Sequence, residues 1–314
     1  MIRIFLFMSS VLLVFTVLEV TVRNTYGKQL LPLRDEELLW KYAPSQTGYS
    51  NIGFPKATIN SNGFRGGELK ENKRNIIMLG DSYTFGMNVQ DNETFSYLLG
   101  EKLARIDQEY QVINTGVSAW GLFQEKIQLE RMYAEYKPEI VVLTLLKDDL
   151  RRLEFRDETN KRKYLKTNKY GSILYRNSAL IQFMKTLKRQ VLKEEPKNWI
   201  HNTNTSQLWD IEKEKVKEIH SLLWNNTVLI LVFYPSSDQA FFEPVKEMRQ
   251  WPNVIVIGDL GAYFELFANE ELRIKNDGHP TPLAHRIISE RIFLEMKKKG
   301  LVAAGGSFSS GAVQ

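Results

Sequence analysis

The sequence predicts an α/β protein built on a parallel sheet, because from Asn75 onward short apolar runs alternate with amphipathic helical patterns. Two further observations support this class. The run Glu139-Ile-Val-Val-Leu-Thr-Leu-Leu146 is almost unbroken in apolar character, as suits a strand covered on both faces. Polar or glycine-containing clusters also follow several strands directly, and in open α/β sheets ligands bind at the carboxyl ends of the strands.

Taken in chain order, the first element is not part of the sheet. Ile4 to Val22 is an apolar stretch of 19 residues interrupted by one acid, Glu19. That is long enough to cross a bilayer core of roughly 30 Å. The residues that follow, Val20, Thr21, Val22 and Arg23, lack the small-residue pattern of a signal cleavage site, so residues 1–24 are expected to be an uncleaved single-pass anchor with the body of the protein outside the cytoplasm. Residues 25–74 are rich in Gly, Pro, Asn and Ser without a sustained period, and read as a linker that becomes an ordered lead-in.

Ile76–Leu79 is the first expected strand, and Thr94–Ile106 a helix with Phe95, Leu98, Leu99 and Leu103 on one face. Gln111–Asn114 is the second strand and Leu122–Tyr136 the second helix. The third strand follows Pro138. Residues 151–206 read as an insertion: between Arg151 and Ile200 the sequence has fourteen Lys or Arg against five Asp or Glu, so this stretch is more positive than the whole chain, whose net charge is +5. It contains an expected helix, Ala179–Leu192. Helix Gln207–Trp224, strand Val228–Tyr234, a helix including Pro244–Gln250, strand Val254–Ile257 and a last helix Pro282–Lys299 complete the domain, taken as residues 75–299. Residues 300–314 are small and glycine-containing, and are expected to be a disordered tail.

Composition excludes some chemistry. With no cysteine in the chain, a thiol nucleophile, a Cys-based zinc site and disulfides are all impossible. The modest positive charge comes without a nucleic-acid motif, so no nucleic-acid partner is expected. No metal site or cofactor is expected either.

The first strand runs directly into Gly80-Asp-Ser-Tyr-Thr-Phe-Gly86, which places Ser82 on a tight turn at the end of the sheet. A serine hydroxyl needs a base to become a nucleophile. Four histidines are present. His201 lies in a polar stretch and His220 on a helix, where solvated or structural roles suit them, and His285 falls on helix surface or core. His279 differs, because Asn276-Asp-Gly-His-Pro-Thr281 is a turn-rich segment in which Asp277 can orient the imidazole. Ser82, His279 and Asp277 are therefore the candidate nucleophile, base and orienter. Acyl transfer also needs donors aimed at the oxyanion. The Ser82 amide is one candidate, Gly116 in Asn114-Thr-Gly-Val-Ser-Ala-Trp-Gly121 is a second, and Lys147-Asp148-Asp149 offers a third strand end.

These four blocks resemble those of the SGNH (GDSL-like) hydrolases: Gly80-Asp81-Ser82 the first, Gly116 the second, Asp148-Asp149 the third, and Asp277-x-His279-Pro280 the last. The match covers about residues 60–299, and Asn60-Ser-Asn-Gly-Phe-Arg65 is similar to the stretch before the nucleophile in membrane-anchored bacterial members. The resemblance implies a flavodoxin-like three-layer sandwich with a five-stranded sheet in the order 2-1-3-4-5. It further implies esterase, lipase, deacetylase or acetyltransferase chemistry on acylated carbohydrate or lipid. Two departures stand out. The family has Asn where Asp148 falls, and an ionised carboxylate accepts hydrogen bonds but cannot donate one to an oxyanion. The Asp-x-His spacing is also shorter than the commoner Asp-x-x-His.

Three readings follow. The first is a membrane-tethered acyl esterase or acetyltransferase. The second keeps the fold without turnover, as a degenerate glycan-binding or scaffold protein marked by Asp148. The third, a phosphate-cradling loop at Gly80–Gly86, lacks the nucleotide-binding signatures and leaves Asp277 and His279 unexplained. The basic insertion reads as a solvated face, or as a lid or docking surface for anionic lipid or acidic glycan in which Tyr164, Tyr170 and Tyr175 would suit sugar stacking.

Overall fold

The computed structural model describes residues 2–106, 109–152, 178–191, 204–224 and 226–302. His201, Tyr164, Tyr170, Tyr175, most of the basic insertion and the tail beyond 302 lie outside the described residues.

The apolar segment at the start forms one helix, Ile2–Thr25, with almost every residue exposed. Among the described residues it is the one helix long and apolar enough to cross a membrane. Pro32–Asp35 (β1) and Leu39–Tyr42 (β2) then pair as an antiparallel hairpin, and Gln46–Tyr49 (β3) pairs with Lys56–Ile59 (β4) as a second. Strands of four residues are too short to reveal a period of two, which is why sequence patterning passes over them. These hairpins are not solvated. Leu30, Leu38, Leu39, Trp40, Tyr42, Ala57 and Ile59 are buried in one cluster with Phe85, Val117 and Trp120, residues from the loops that follow the first two strands of the main sheet.

The main sheet consists of Arg74–Leu79 (β5), Tyr110–Asn114 (β6), Ile140–Leu145 (β7), Val228–Phe233 (β8) and Val254–Ile257 (β9). All neighbours are parallel and the order is β6-β5-β7-β8-β9, the expected 2-1-3-4-5. Alternation of side chains divides the core into two layers. Ile77, Leu79, Val141, Leu143, Leu229 and Leu231 face helices Leu122–Tyr136 and Thr205–Ser221. Ile76, Met78, Ile140, Val142, Ile230 and Val232 face helices Phe95–Ala104 and Pro282–Lys298. Strand β7 is buried along its whole length, as a central parallel strand with helices on both faces must be. The long helices agree with the sequence pattern to within a few residues, including Ala179–Val191 in the insertion. The expected helix around Pro244–Gln250 is reduced to Val245–Met248, and two short helices, Leu260–Phe264 and Asn269–Leu272, follow β9.

His285 sits fully buried where the last helix meets Phe95. Its Nδ1 accepts from the Phe95 N–H at 3.2 Å, and the two rings stack with centroids 5.5 Å apart. Burial first, and then the charges of Arg65 and His279, push its pKa down to about 3. Between the ordinary histidine value of 6.5 and about 3, the unfolded chain binds a proton that the folded chain refuses, so this residue withdraws stability as pH falls. The wild-type slope from this source reaches about 1.4 kcal/mol per pH unit. His285→Gln, which keeps an acceptor for Phe95, should therefore flatten the acid limb of the stability curve. Denaturant unfolding of both proteins in detergent from pH 6.5 to 3 measures this, and parallel acid limbs would refute it.

Candidate active site

Strand β5 delivers Gly80 to the end of the sheet with φ +151°, and a Cβ there would lie 2.1 Å from Thr84 Oγ1. Only glycine lets the chain turn this sharply from strand into the short helix Ser82–Phe85. Asp81 caps that helix, its Oδ1 accepting from the Tyr83 N–H at 2.8 Å. Ser82 is consequently the first helical residue, and its own N–H has no carbonyl partner within the helix.

The segment from Ile274 to Thr281 brings the other two candidates to this turn. Its backbone closes on itself through Gly278 N–H to Ile274 O at 2.9 Å and Ile274 N–H to His279 O at 2.8 Å. Asn276 and Gly278 take positive φ in between. His279 Nε2 lies 3.0 Å from Ser82 Oγ, and His279 Nδ1 lies 2.5 Å from Asp277 Oδ1. The assignment that satisfies both contacts has Nδ1–H donating to Asp277 and Nε2 accepting from the serine hydroxyl. Burial pushes the Asp277 carboxyl up, but the His279 ring and backbone N–H together pull it below its ordinary value. The Asn88 amide favours the charged carboxylate too, by proximity rather than at hydrogen-bonding geometry. Tyr83 braces the loop from the nucleophile side, with its hydroxyl 3.3 Å from Gly278 O and its ring centroid 5.4 Å from that of His279.

The oxyanion candidates fall less uniformly. Gly116 packs directly against the nucleophile helix: a Cβ there would lie 2.3 Å from Phe85 N and 2.8 Å from the Thr84 carbonyl carbon. Its N–H, however, donates to Asn114 Oδ1 at 3.0 Å. The Asn114 amide in turn donates to Thr84 O at 2.8 Å and to Ser96 Oγ at 2.7 Å, clamping the second loop to the first. Asp148 begins the turn Asp149–Arg151 with its side chain exposed and makes no capping bond. Lys147 is turned away to an ion pair with Asp238 at 2.5 Å.

Two arginines support the site through contacts that the sequence reading does not assign, although Arg65 belongs to the lead-in stretch singled out above. Arg65 is buried and donates to Phe85 O, Gly86 O at 2.6 Å and Val89 O at 2.8 Å, while pairing with Asp91 at 2.9 Å; it ties off the carbonyl end of the nucleophile helix. Arg152 does the same for the buried carboxylates. It pairs with Asp81 at 3.0 Å and Asp149 at 2.7 Å, and it donates to Trp120 O. Asp81 Oδ2 also stands 3.3 Å from Ser82 Oγ, so Arg152 is one residue removed from the nucleophile. Behind this pair lies Glu125, fully buried with neither carboxyl oxygen hydrogen-bonded. Burial, followed by the charges of Asp149 and Asp81, pushes its pKa well above the ordinary value. Burial, followed by the charge of Asp81, pushes the Asp149 carboxyl well above its ordinary value as well, against the opposing pull of Arg152 and of the Leu146 N–H that it accepts at 2.8 Å. In the sequence Arg152 is one of fourteen cations in a basic stretch; the signal that could have found it is its position three residues after Asp149, a spacing that places both on one side of a helical turn.

A groove of about 1220 Å³ opens beside the site along the carboxyl ends of β7, β8 and β9. Tyr83, which adjoins Ser82 in the chain, lines it together with Asp148, Tyr234, Phe242, Phe264 and Arg273. Ser82 and His279 stand next to the groove rather than in its lining. Among the described residues, no group of three or more His, Asp or Glu side chains could hold a metal ion.

The class of site this defines is a serine, a histidine and an aspartate joined in hydrogen-bonded sequence at the end of a parallel α/β sheet. No family model matches the sequence. No curated protein matches it either. Among solved structures, the chain is similar to a lipase/acylhydrolase from Enterococcus faecalis, at 15% identity over 74% of this chain and 100% of that one, with a TM-score of 0.47. It is also similar to a member of the lipolytic protein G-D-S-L family from Veillonella parvula, at 14% identity over 72% of this chain and 99% of that one, with a TM-score of 0.41. A third is a catalytic mutant of an acetylxylan esterase from Geobacillus stearothermophilus, at 16% identity over 73% and 96%, with a TM-score of 0.42.

Removing Arg152 would leave two buried carboxylates without their shared cation. Arg152→Met should lower stability by roughly 3–5 kcal/mol at neutral pH, as expected for one partner stripped from a buried ion pair. Denaturant midpoints of the variant and wild type measure this, and a loss no larger than the 1 kcal/mol or so typical of surface pairs would sink the assignment.

Proposed function

We propose that this chain is a serine-dependent acyl ester hydrolase or acyl transferase, acting on acylated carbohydrate or lipid of the cell envelope and tethered to the membrane by Ile2–Thr25 with its body outside the cytoplasm. The observation that carries the reading is the continuous relay from Ser82 Oγ through His279 to Asp277, at 3.0 and 2.5 Å. A hydroxyl so placed can lose its proton to the imidazole as it attacks an acyl carbon, and Asp277 stabilises the imidazolium that results. The proton then passes from His279 to the departing alkoxide. Water, or a sugar hydroxyl in the transferase variant, repeats the sequence on the acyl-enzyme and releases Ser82.

The Ser82 amide, at the first turn of its helix, supports the developing oxyanion. Gly116 would join it by exchanging its bond to Asn114 for one to the substrate, since each such donor supplies on the order of 3 kcal/mol to the transition state. The adjoining groove, with its aromatic walls, has room for a sugar ring or an acyl chain. The apolar helix at the N-terminus, exposed at almost every residue, supports the tether.

Asp148 is the feature that favours the second reading, a degenerate binding protein, because its carboxylate stands where a neutral donor is expected. The intact relay weighs against that reading, since a chain released from catalysis has no need to hold a histidine between a serine and an aspartate.

A fluorophosphonate probe should label wild type and fail on Ser82→Ala. Hydrolysis of p-nitrophenyl acetate should fall by roughly 10⁴-fold or more in Ser82→Ala and His279→Ala, and less steeply in Asp277→Asn. Equal labelling of wild type and Ser82→Ala would refute the nucleophile. Asp148→Asn separates the two readings: little change or a loss supports a working enzyme, whereas a large gain over a near-inactive wild type would establish the degenerate site.

A further inference from the structure

The one acid inside the apolar N-terminal helix has a specific partner. Glu19 accepts hydrogen bonds from Ser178 Oγ at 2.7 Å and from the backbone N–H groups of Ala179 and Leu180, both at 2.9 Å. It is therefore an external cap on the helix Ala179–Val191, placed where that helix exposes its first N–H groups. Arg23, one turn on, holds the same carboxylate at 2.6 Å. Two further contacts continue the junction toward the end of the first helix. The Gln29 N–H donates to Gln182 Oε1 at 2.8 Å, and the rings of Tyr26 and Phe183 stand 4.8 Å apart.

The helix secured in this way is amphipathic. Leu180, Phe183, Met184, Leu187 and Val191 recur at intervals of three and four, and so share one face. That face is largely uncovered: Met184 is 56% exposed, Leu187 36% and Val191 69%. Lys185 and Lys188 are also exposed, Lys185 pointing away from that face and Lys188 at its margin, one turn from Met184 and Val191. Apolar residues on one face, with lysines at its margin and beyond it, form the pattern of a helix that lies at a membrane surface, with its apolar side among acyl chains and its cations among headgroups. Phe183 begins the apolar face against Tyr26, so the face continues directly from the exposed apolar surface of Ile2–Thr25.

We propose that this face of helix Ala179–Val191 rests in the surface of the same bilayer that the N-terminal helix crosses, so that the catalytic body is held to the membrane at two places. The inference rests on the membrane tether proposed above. Its occupant is lipid, because the apolar stripe is joined to the one segment among the described residues that is built to sit in lipid. A single tether leaves the body free to rotate about the anchor. A second contact, fixed by the Glu19 cap, restrains that rotation and holds the groove beside Ser82 in one attitude to the membrane surface.

The absence of cysteine makes a direct test available, since any introduced cysteine is the only thiol in the chain. Leu187→Cys, Lys185→Cys and Leu12→Cys are each labelled with an environment-sensitive fluorophore in the full-length protein. The proteins are then reconstituted into phosphatidylcholine–phosphatidylglycerol vesicles with and without brominated acyl chains. Unfolding midpoints equal to wild type show that each labelled protein is intact. Brominated lipid should quench the labels at Leu12 and Leu187, and leave the label at Lys185 bright. Quenching at Leu12 without quenching at Leu187 overturns the proposal and leaves the tether standing, whether residue 187 is then open to water or shielded by protein. Equal quenching at Leu187 and Lys185 overturns the assignment of a single lipid-facing side. No quenching at Leu12 removes the tether itself, and the proposal with it.

Discussion

The Asp81 carboxylate is fully buried at the end of β5, and satisfying it organises the site around it. A charge in that position is tolerable only when donors surround it. One oxygen takes the Tyr83 N–H and thereby starts the helix on which Ser82 sits; the other takes Arg152 and lies within reach of the serine hydroxyl. Arg152 in turn couples this strand end to Asp149 after β7 and to the backbone of the Trp120 loop after β6. Three strand ends are thus tied to one guanidinium. Glu125 lies behind it, and burial together with the charges of Asp149 and Asp81 pushes its carboxyl well above the ordinary range.

The opposite side of the helix Ser82–Phe85 depends on the lead-in. Arg65 reaches the carbonyls of Phe85, Gly86 and Val89, which a four-residue helix cannot satisfy internally. Trp40 and Trp120 exchange indole bonds with each other's loops, Trp40 Nε1 to Ser118 O at 3.0 Å and Trp120 Nε1 to Trp40 O at 2.9 Å. The hairpins before the sheet are consequently part of the wall of the site. With Asn114 joining the second loop to Thr84 and Ser96, the serine turn is fixed on every side except the one that faces His279 and the groove.

Much of this architecture was legible in one dimension. Parallel strands covered on both faces show up as dense apolar runs, and long helices repeat their apolar positions often enough to be read, so the five strands and the long helices between them could be placed within a few residues. The hairpins at 32–59 could not, because four-residue strands with mixed burial carry no readable period. Ser82 and His279 were legible for another reason: glycine-rich polar turns directly after strands, or between elements, have few purposes. Arg65 stands in a lead-in stretch that resemblance singles out and Arg152 stands three residues after Asp149, but neither setting announces that the guanidinium will be buried against carbonyls and carboxylates from distant loops. Glu19 is similar, an apparent flaw in an apolar helix until its partner 160 residues away in the chain is seen.

By itself, then, the sequence determined the sheet, its flanking layers and the residue types able to attack and relay a proton, because those properties are local and periodic. Only the tertiary structure decided that Ser82 and His279, 197 residues apart, meet at 3.0 Å, that the Gly116 N–H is engaged by Asn114, and that Arg152 joins three strand ends. The physical reason is that hydrogen bonds and buried charges are satisfied between segments. Chain spacing states which groups are present, and only packing states which of them must share a partner.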